Sequence, residues 1–250
     1  ILFIDSDDIV PKGWIDYSLN LAEKNEADIV SGRFVMQKQG EKLLESNNTD
    51  FIILDGKDIS YIQRDQFLEK TNLIENLEYI DRGACAKIYR RSVIENIRFR
   101  EGVVLSTDQI FNNQVLINAS RYILSNHDSY YYIVNAQSIS HIYRENATDI
   151  MMQSLKEVKK YLFDDDEVKN AFYFHVLRDL RLSLQFSCFN KKPKEPVMAK
   201  YRTIKKAFDM DIVREARTHL QLNIVNGYKI KINIFLIKYG FAYLYALLNS

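Results

Sequence analysis

The chain has 250 residues, 47% hydrophobic and 27% charged, enough to bury one large core or a core with an appendage. Eight glycines and three prolines exclude collagen-like and low-complexity chains, and no repeat recurs at solenoid spacing. The net charge of +1 conceals an asymmetry: residues 1–150 carry 16 Lys and Arg against 23 Asp and Glu, net −7, whereas residues 151–250 carry 18 against 10, net +8.

In chain order, "ILFI" at 1–4 is a short apolar run ending in acids, the pattern of a buried strand whose carboxyl end carries a site. Because the chain opens inside this run and not at a methionine, it is read as lacking upstream sequence. Pro11 and Gly13 predict a turn, "WIDYSLNLAEKN" a helix from Trp14 and "ADIVSGRFVM" a strand, together a β-turn-α-β unit. Residues 37–56 read as loop with a short strand at "FIIL", followed by a helix over "GKDISYIQRDQFLEK". "ACAKIYRRSVI" predicts a strand running into a short helix, and "IRFREGVVL" an extended connection. "STDQIFNNQVLINA" has a capping-box pattern, Ser106 with Gln109 three residues on, which puts Asp108 in the first helical turn. "RYILSNHDSYYYIV" predicts two strand pieces around a polar turn. From about residue 150 the pattern is helical, with five apolar-periodic segments separated by acid clusters or by "NKKPKEP", so a domain boundary is placed at 148.

Asp5, Asp7 and Asp8 fall within four positions. Carboxylates this close repel one another, and a divalent cation with hard oxygen ligands, Mn²⁺ or Mg²⁺, would neutralise them. An EF-hand is excluded, since Ile9 and Val10 stand where its loop needs an oxygen ligand and a glycine. A solvated turn is the simpler reading of the same residues. An apolar strand running into Asp-x-Asp also resembles haloacid-dehalogenase-like phosphatases, where Asp5 would attack phosphorus with Mg²⁺ bound. That family needs a further acidic pair at a strand end, and "FDDDE" at 163–167 falls between helices instead.

"FIDSDDIVPKGWIDYSLNLAEKNEADIVSG" resembles the centre of a family 2 glycosyltransferase of the GT-A fold, of the kind that builds bacterial capsular and other surface polysaccharides. The resemblance continues in order through "RGACAKIYRRSVIENIRFREGVVLSTDQIF" and "SYYYIVNAQSIS", covering roughly residues 1–145. It implies an α/β fold with a Rossmann-like mixed sheet over 1–148, followed by a helical appendage over 149–250. The family's Glu-Asp pair is here Thr107-Asp108, with the second acid retained.

What the resemblance implies is a metal-dependent, inverting transfer from a nucleoside diphosphate sugar, UDP-linked, to a glycan or lipid-linked acceptor. Asp5 and Asp7 are then the metal-side residues and Asp8 their orienting neighbour. Asp108 is the base on the acceptor hydroxyl, a role set against its plain alternative of complementing a helix dipole. Arg82 and Lys87 are assigned to diphosphate or acceptor and His141 to the metal or a phosphate oxygen, each with solvated surface charge as the alternative. Tyr130, Tyr131 and Tyr132 are read as packing. A non-catalytic remnant serving as a scaffold is the reading from a different class.

Two distant cysteines, Cys85 and Cys188, match neither a redox pair nor a zinc spacing and place the chain in a reducing cytoplasm. The basic C-terminal part lacks nucleic-acid-binding signatures. In "INIFLIKYGFAYLYALL" Lys238 interrupts the apolar run and the segment is too short to span a bilayer, so it lies on an anionic inner leaflet or docks on its own core or a second subunit.

Overall fold

The computed structural model describes residues 1–38, 40, 48–102, 106–134, 146–190 and 195–250. The chain divides into two compact units: Ile1–Glu101, Thr107–Ser138 and Tyr161–Phe163 form the first, and Gly102–Ser106, Ile139–Lys160 and Asp164–Ser250 the second.

The first unit is built on a four-stranded mixed sheet. Helix α1 (Trp14–Asn25) leads into β1 (Ile29–Lys38), and β2 (Phe51–Asp55) into a 3₁₀ turn and α2 (Ser60–Leu68). Then come β3 (Lys87–Tyr89), the short α3 (Arg91–Ile94), α4 (Thr107–Asn118) and β4 (Arg121–Val134). The order across the sheet is β2-β4-β1-β3, with β1 parallel to β4 and both outer strands antiparallel to their neighbours. Ile29 and Val30 of β1 are wholly buried, as a central strand covered on both faces requires. The apolar faces of α2 and α4 pack Ile62, Phe111, Val115 and Leu116 against one side of the sheet, and α1 packs Trp14 and Leu21 against the other. This is the expected GT-A-like α/β architecture, followed by the expected helical region.

Three local expectations are corrected. Ile1–Ile4 is not a buried strand. It makes a single antiparallel bridge, Leu2 with Ile88 on the outer side of β3, and Ile1 and Ile4 are about half exposed. Residues 121–134 form one long strand rather than two pieces around a turn. The polar residues that signalled a turn, Ser125, Asn126 and His127, are absorbed where the β1–β4 register shifts between Ser31 and Arg33, so the strand bulges without reversing. Ser106 has φ 61°, outside the extended geometry of an N-cap, and its hydroxyl reaches the Met151 sulfur at 3.6 Å.

Gly32 lies at this irregular stretch. A Cβ there would sit 2.6 Å from Ser129 Cβ and 2.7 Å from both the His127 carbonyl oxygen and Trp14 Cη2, so only glycine lets α1 close on the sheet.

The second unit is helical: α5 (Ala147–Val158), α6 (Asp166–Leu184, continued by a π-turn), α7 (Val197–Phe208), α8 (Asp211–His219), α9 (Tyr228–Lys238) and α10 (Ala242–Leu248). Helix α6 is central, burying Phe172, Val176, Leu177 and Leu180, and it packs against α5, α8 and α9. The single helix expected at the C-terminus is two, parted where Gly240 adopts φ 76°.

Candidate active site

The acidic loop is tied to the sheet by β4. Ile9 and Tyr131 exchange both backbone hydrogen bonds, at 3.1 and 2.8 Å, and the Asp8 amide closes a turn on the Asp5 carbonyl at 3.2 Å. The Asp5 amide donates to the Tyr130 hydroxyl at 3.0 Å, and the Ile133 amide to Asp8 Oδ1 at 2.9 Å. Asp5 and Asp7 face solvent, whereas Asp8 is half-buried and its Oδ2 is buried with no hydrogen-bond partner.

A second group of residues meets Asp5 from the segment before β3. Cys85 Sγ lies 4.0 Å from Asp5 Oδ2. A Cβ on Gly83 would stand 3.1 Å from Asp81 Oδ2 and 3.8 Å from Asp108 Oδ2, so the backbone at Gly83 is flanked by both carboxylates. Asp108 reaches this place from the first turn of α4. That helix is held to α2 by buried amides: Gln63 Nε2 donates to Asn113 Oδ1 at 2.6 Å and Asn112 Nδ2 to Gln66 Oε1 at 3.1 Å.

The electrostatics follow from this crowding. Asp108 is raised above the ordinary carboxylate range by desolvation and then by Asp5 and Asp81, with Lys87 opposing. Asp5 is raised by desolvation and by Asp8 and Asp7. Burial pushes the Cys85 thiol up to about 11, with Asp5, Asp108 and Asp81 adding to the rise, so at neutral pH it is a thiol and not a nucleophile. The site therefore gathers negative charge without a thiolate.

Of the residues expected to act together, Asp5, Asp7, Asp8 and Asp108 belong to this one group. Lys87 belongs to it in another role: it is fully buried, and its ammonium donates to the Asp81 and Gly83 carbonyls at 2.8 Å each and to Asp81 Oδ2 at 3.3 Å. Its charge is spent on shaping the 81–85 turn, which corrects the assignment to diphosphate or acceptor. Arg82 pairs with Glu69 Oε1 at 3.3 Å. His141 lies outside the described residues. Sequence reasoning missed Asp81, Cys85 and the hydroxyl of Tyr130; Asp81 stands one residue before the quoted "RGACAK" run, and only the fold brings it to Asp108.

The donor set suits a hard divalent cation: carboxylates, an orphaned carboxylate oxygen and no soft ligand in its ionised form. Among the described residues no three His, Cys, Asp or Glu side chains surround one point. Mg²⁺ held with a nucleotide needs only one or two carboxylates, the phosphates supplying the rest. The phosphatase-like alternative loses its second acidic pair, because Asp165 of "FDDDE" is the N-cap of α6, accepting from the Glu167 and Val168 amides at 2.8 and 3.0 Å.

A mixed sheet with an acidic loop at its rim and a carboxylate at the start of the facing helix defines a GT-A-like protein. Residues 1–98 match Glycosyl transferase family 2, the family expected. The chain is 22% identical over 181 residues to poly(ribitol-phosphate) beta-N-acetylglucosaminyltransferase TarP of Staphylococcus aureus (strain N315), spanning 71% of this chain and 50% of that protein. It is 23% identical over 246 residues to minor teichoic acid biosynthesis protein GgaB of Bacillus subtilis (strain 168), spanning 92% of this chain and 25% of that protein. It thus covers about half of one curated relative and a quarter of the other. The crystal structure of S. aureus TarS 1-349 in complex with UDP-GlcNAc shares the fold with TM-score 0.56 and 17% identity, covering 99% of this chain and 66% of that one.

Proposed function

We propose that this chain forms the cation- and acceptor-facing part of a glycosyltransferase that adds a sugar from a UDP-sugar to a cell-surface polymer of the teichoic acid kind, with inversion at the anomeric carbon. The observation that carries the reading is the convergence of Asp108 with Asp81 beside Gly83, with Asp5 close enough to raise the Asp108 pKa, in a chain whose first 98 residues match Glycosyl transferase family 2. The names of TarP and GgaB support the polymer class, and the UDP-GlcNAc in TarS supports the donor class.

In this mechanism Asp108 takes the proton of the acceptor hydroxyl as its oxygen bonds to the anomeric carbon, and the bond from that carbon to the diphosphate oxygen breaks, releasing UDP. The raised basicity of Asp108 favours that proton transfer, while its solvent access leaves room for an acceptor. Asp5 and Asp7 would hold Mn²⁺ or Mg²⁺, and the buried Oδ2 of Asp8 backs them. When bound, the cation supplies positive charge against the leaving diphosphate. Lys87 and Asp81 keep the Gly83 backbone in place between the two carboxylates.

The reaction is tested with UDP-N-acetylglucosamine, Mn²⁺ and poly(ribitol phosphate). Asp108→Asn is expected to lower kcat by about 10²–10⁴-fold with donor binding retained. NMR of the product is expected to show the anomeric configuration opposite to the donor's. Unchanged turnover in Asp108→Asn would remove the base; retained configuration would remove direct displacement.

A further inference from the structure

Within residues 1–250, helices α9 and α10 leave an apolar surface exposed. Phe235, Tyr239, Phe241, Leu244, Leu247 and Leu248 are each 44–60% exposed. On α9, Phe235 meets Tyr239 at a ring separation of 4.6 Å and Phe241 beyond the Gly240 break at 6.3 Å, so the aromatic groups form one patch. Leu244, Leu247 and Leu248 occupy successive outward positions of α10. Isolated exposed apolar residues are ordinary, but six of them along α9, the Gly240 break and α10 mark a contact surface.

Its charged surroundings are cationic. Lys229 and Lys231 are exposed on α9, Lys231 one turn before Phe235. Lys205 of α7 lines a groove with Phe241, Tyr243 and Leu244, as does Asp209. From Ala216 to Ser250 the chain has no Asp or Glu. Lys238 takes no part: its ammonium donates to the Arg217 and Leu220 carbonyls at 2.8 and 2.7 Å, clamping α9 to α8.

We propose that α9 and α10 are an interfacial docking surface for an anionic lipid bilayer, with the apolar patch at the acyl boundary and Lys229, Lys231 and Lys205 at the headgroups. Neither helix, at 11 and 7 residues, can cross a bilayer, so the surface lies in its plane. Charge decides against a second copy as occupant, since a twofold pairing of this patch would set Lys229 and Lys231 against their equivalents with no acid from the same helices between them. The carbon-rich patch decides against a soluble polyanion, which would leave Leu244, Leu247 and Leu248 in water.

Sedimentation of the full chain with phosphatidylcholine vesicles, and with vesicles also containing phosphatidylglycerol, tests this without any sugar substrate, so its outcome is independent of the transferase reading. Strong binding is expected only to the anionic vesicles, weakening with salt. Lys229→Glu with Lys231→Glu is expected to weaken it by about 25-fold or more, at roughly fivefold for each of the two cations lost from the surface. Leu247→Ser with Leu248→Ser is expected to weaken it at unchanged salt dependence, circular dichroism confirming that both variants fold. Equal binding to neutral vesicles, or binding that neither variant changes, would overturn the proposal. So would an oligomer dissolved by the leucine variant without vesicle binding, or binding to polyphosphate with none to vesicles.

Discussion

The backbone amide of Asp5 donates to the hydroxyl of Tyr130 at 3.0 Å, joining the acidic loop to a strand 125 residues away. A loop carrying mutually repelling carboxylates opens unless something fixes its backbone, and this bond does so without adding charge. Tyr130→Phe leaves the amide without its partner and is expected to cost about 1 kcal/mol in urea unfolding. Because the ring still packs against Phe34 at 5.7 Å, the fold survives. The specific readout is Mn²⁺ affinity, expected to fall; unchanged affinity would show that the bond serves the strand and not the loop.

Asp5 and Asp108 both bind their protons more tightly in the folded chain than an ordinary carboxylate does. Between the ordinary pKa and the raised folded value, the native state therefore holds more protons than the unfolded state. Stability falls as pH rises through that window and is flat above it, the reverse of a carboxylate held by a cationic partner. Asp108→Asn is accordingly expected to raise the melting temperature at neutral pH and to shallow the decline, while lowering kcat by the about 10²–10⁴-fold expected for loss of the base. A melting temperature lowered at neutral pH would mean that Asp108 is a structural cap and not a strained functional group.

The Lys87 ammonium opposes the rise in the Asp108 pKa, and it is fully buried. Lys87→Met leaves the Asp81 carboxylate without its ammonium and the Gly83 carbonyl without a donor. The expected loss is about 3 kcal/mol, measured by denaturant titration. Restoring neutrality with Asp81→Asn in the same chain should recover part of it, whereas a surface lysine would show neither effect.

How much of this was legible depends on the range of the interaction. The order of helices and strands follows from local periodicity, and Asp108 at a helix start and Asp5, Asp7 and Asp8 after an apolar run are local patterns too. What failed was mostly nonlocal. The β4 strand runs through "SNHD" because β1 tolerates a bulge there, with Gly32 giving way to Trp14 and Ser129. Lys87 reads as a surface charge until the turn at 81–85 folds back over it. Asp81 has no motif of its own, and its meeting with Asp108 is made by the α2–α4 amide contacts and the β3 register. The helix break at Gly240 is a local signal that the continuous apolar run concealed.

The same packing makes Gly32 a sharp test of the sheet. Gly32→Ala would place a methyl within 2.7 Å of Trp14 Cη2, Ser129 Cβ and the His127 carbonyl, two of them on the rigid strand. Relief requires α1 to lift from β1 or β4 to shift its bulge, at an expected cost of about 2 kcal/mol in urea unfolding. A neutral substitution would mean that the bulge is soft and that Tyr130 is not rigidly placed.

Divalent cation binding is the prediction on which the site rests. A ligand that binds only the folded chain stabilises it by about 2.7 kcal/mol at a hundredfold excess over its Kd. Mn²⁺ added to the chain is therefore expected to raise its melting temperature, the more so because it relieves the repulsion from Asp8 and Asp7 that adds to desolvation in lifting Asp5. Asp7→Ala should remove most of that rise, since Asp7 is an exposed carboxylate beside Asp5. Asp8→Asn should weaken it less, because Oδ1 is already engaged by the Ile133 amide and Oδ2 is buried, away from solvent. Lys12→Ala, on the exposed turn before α1, serves as the control for nonspecific charge. A rise in melting temperature that Asp7→Ala leaves intact would place the cation elsewhere, and the carboxylates at the rim would then be a solvated turn.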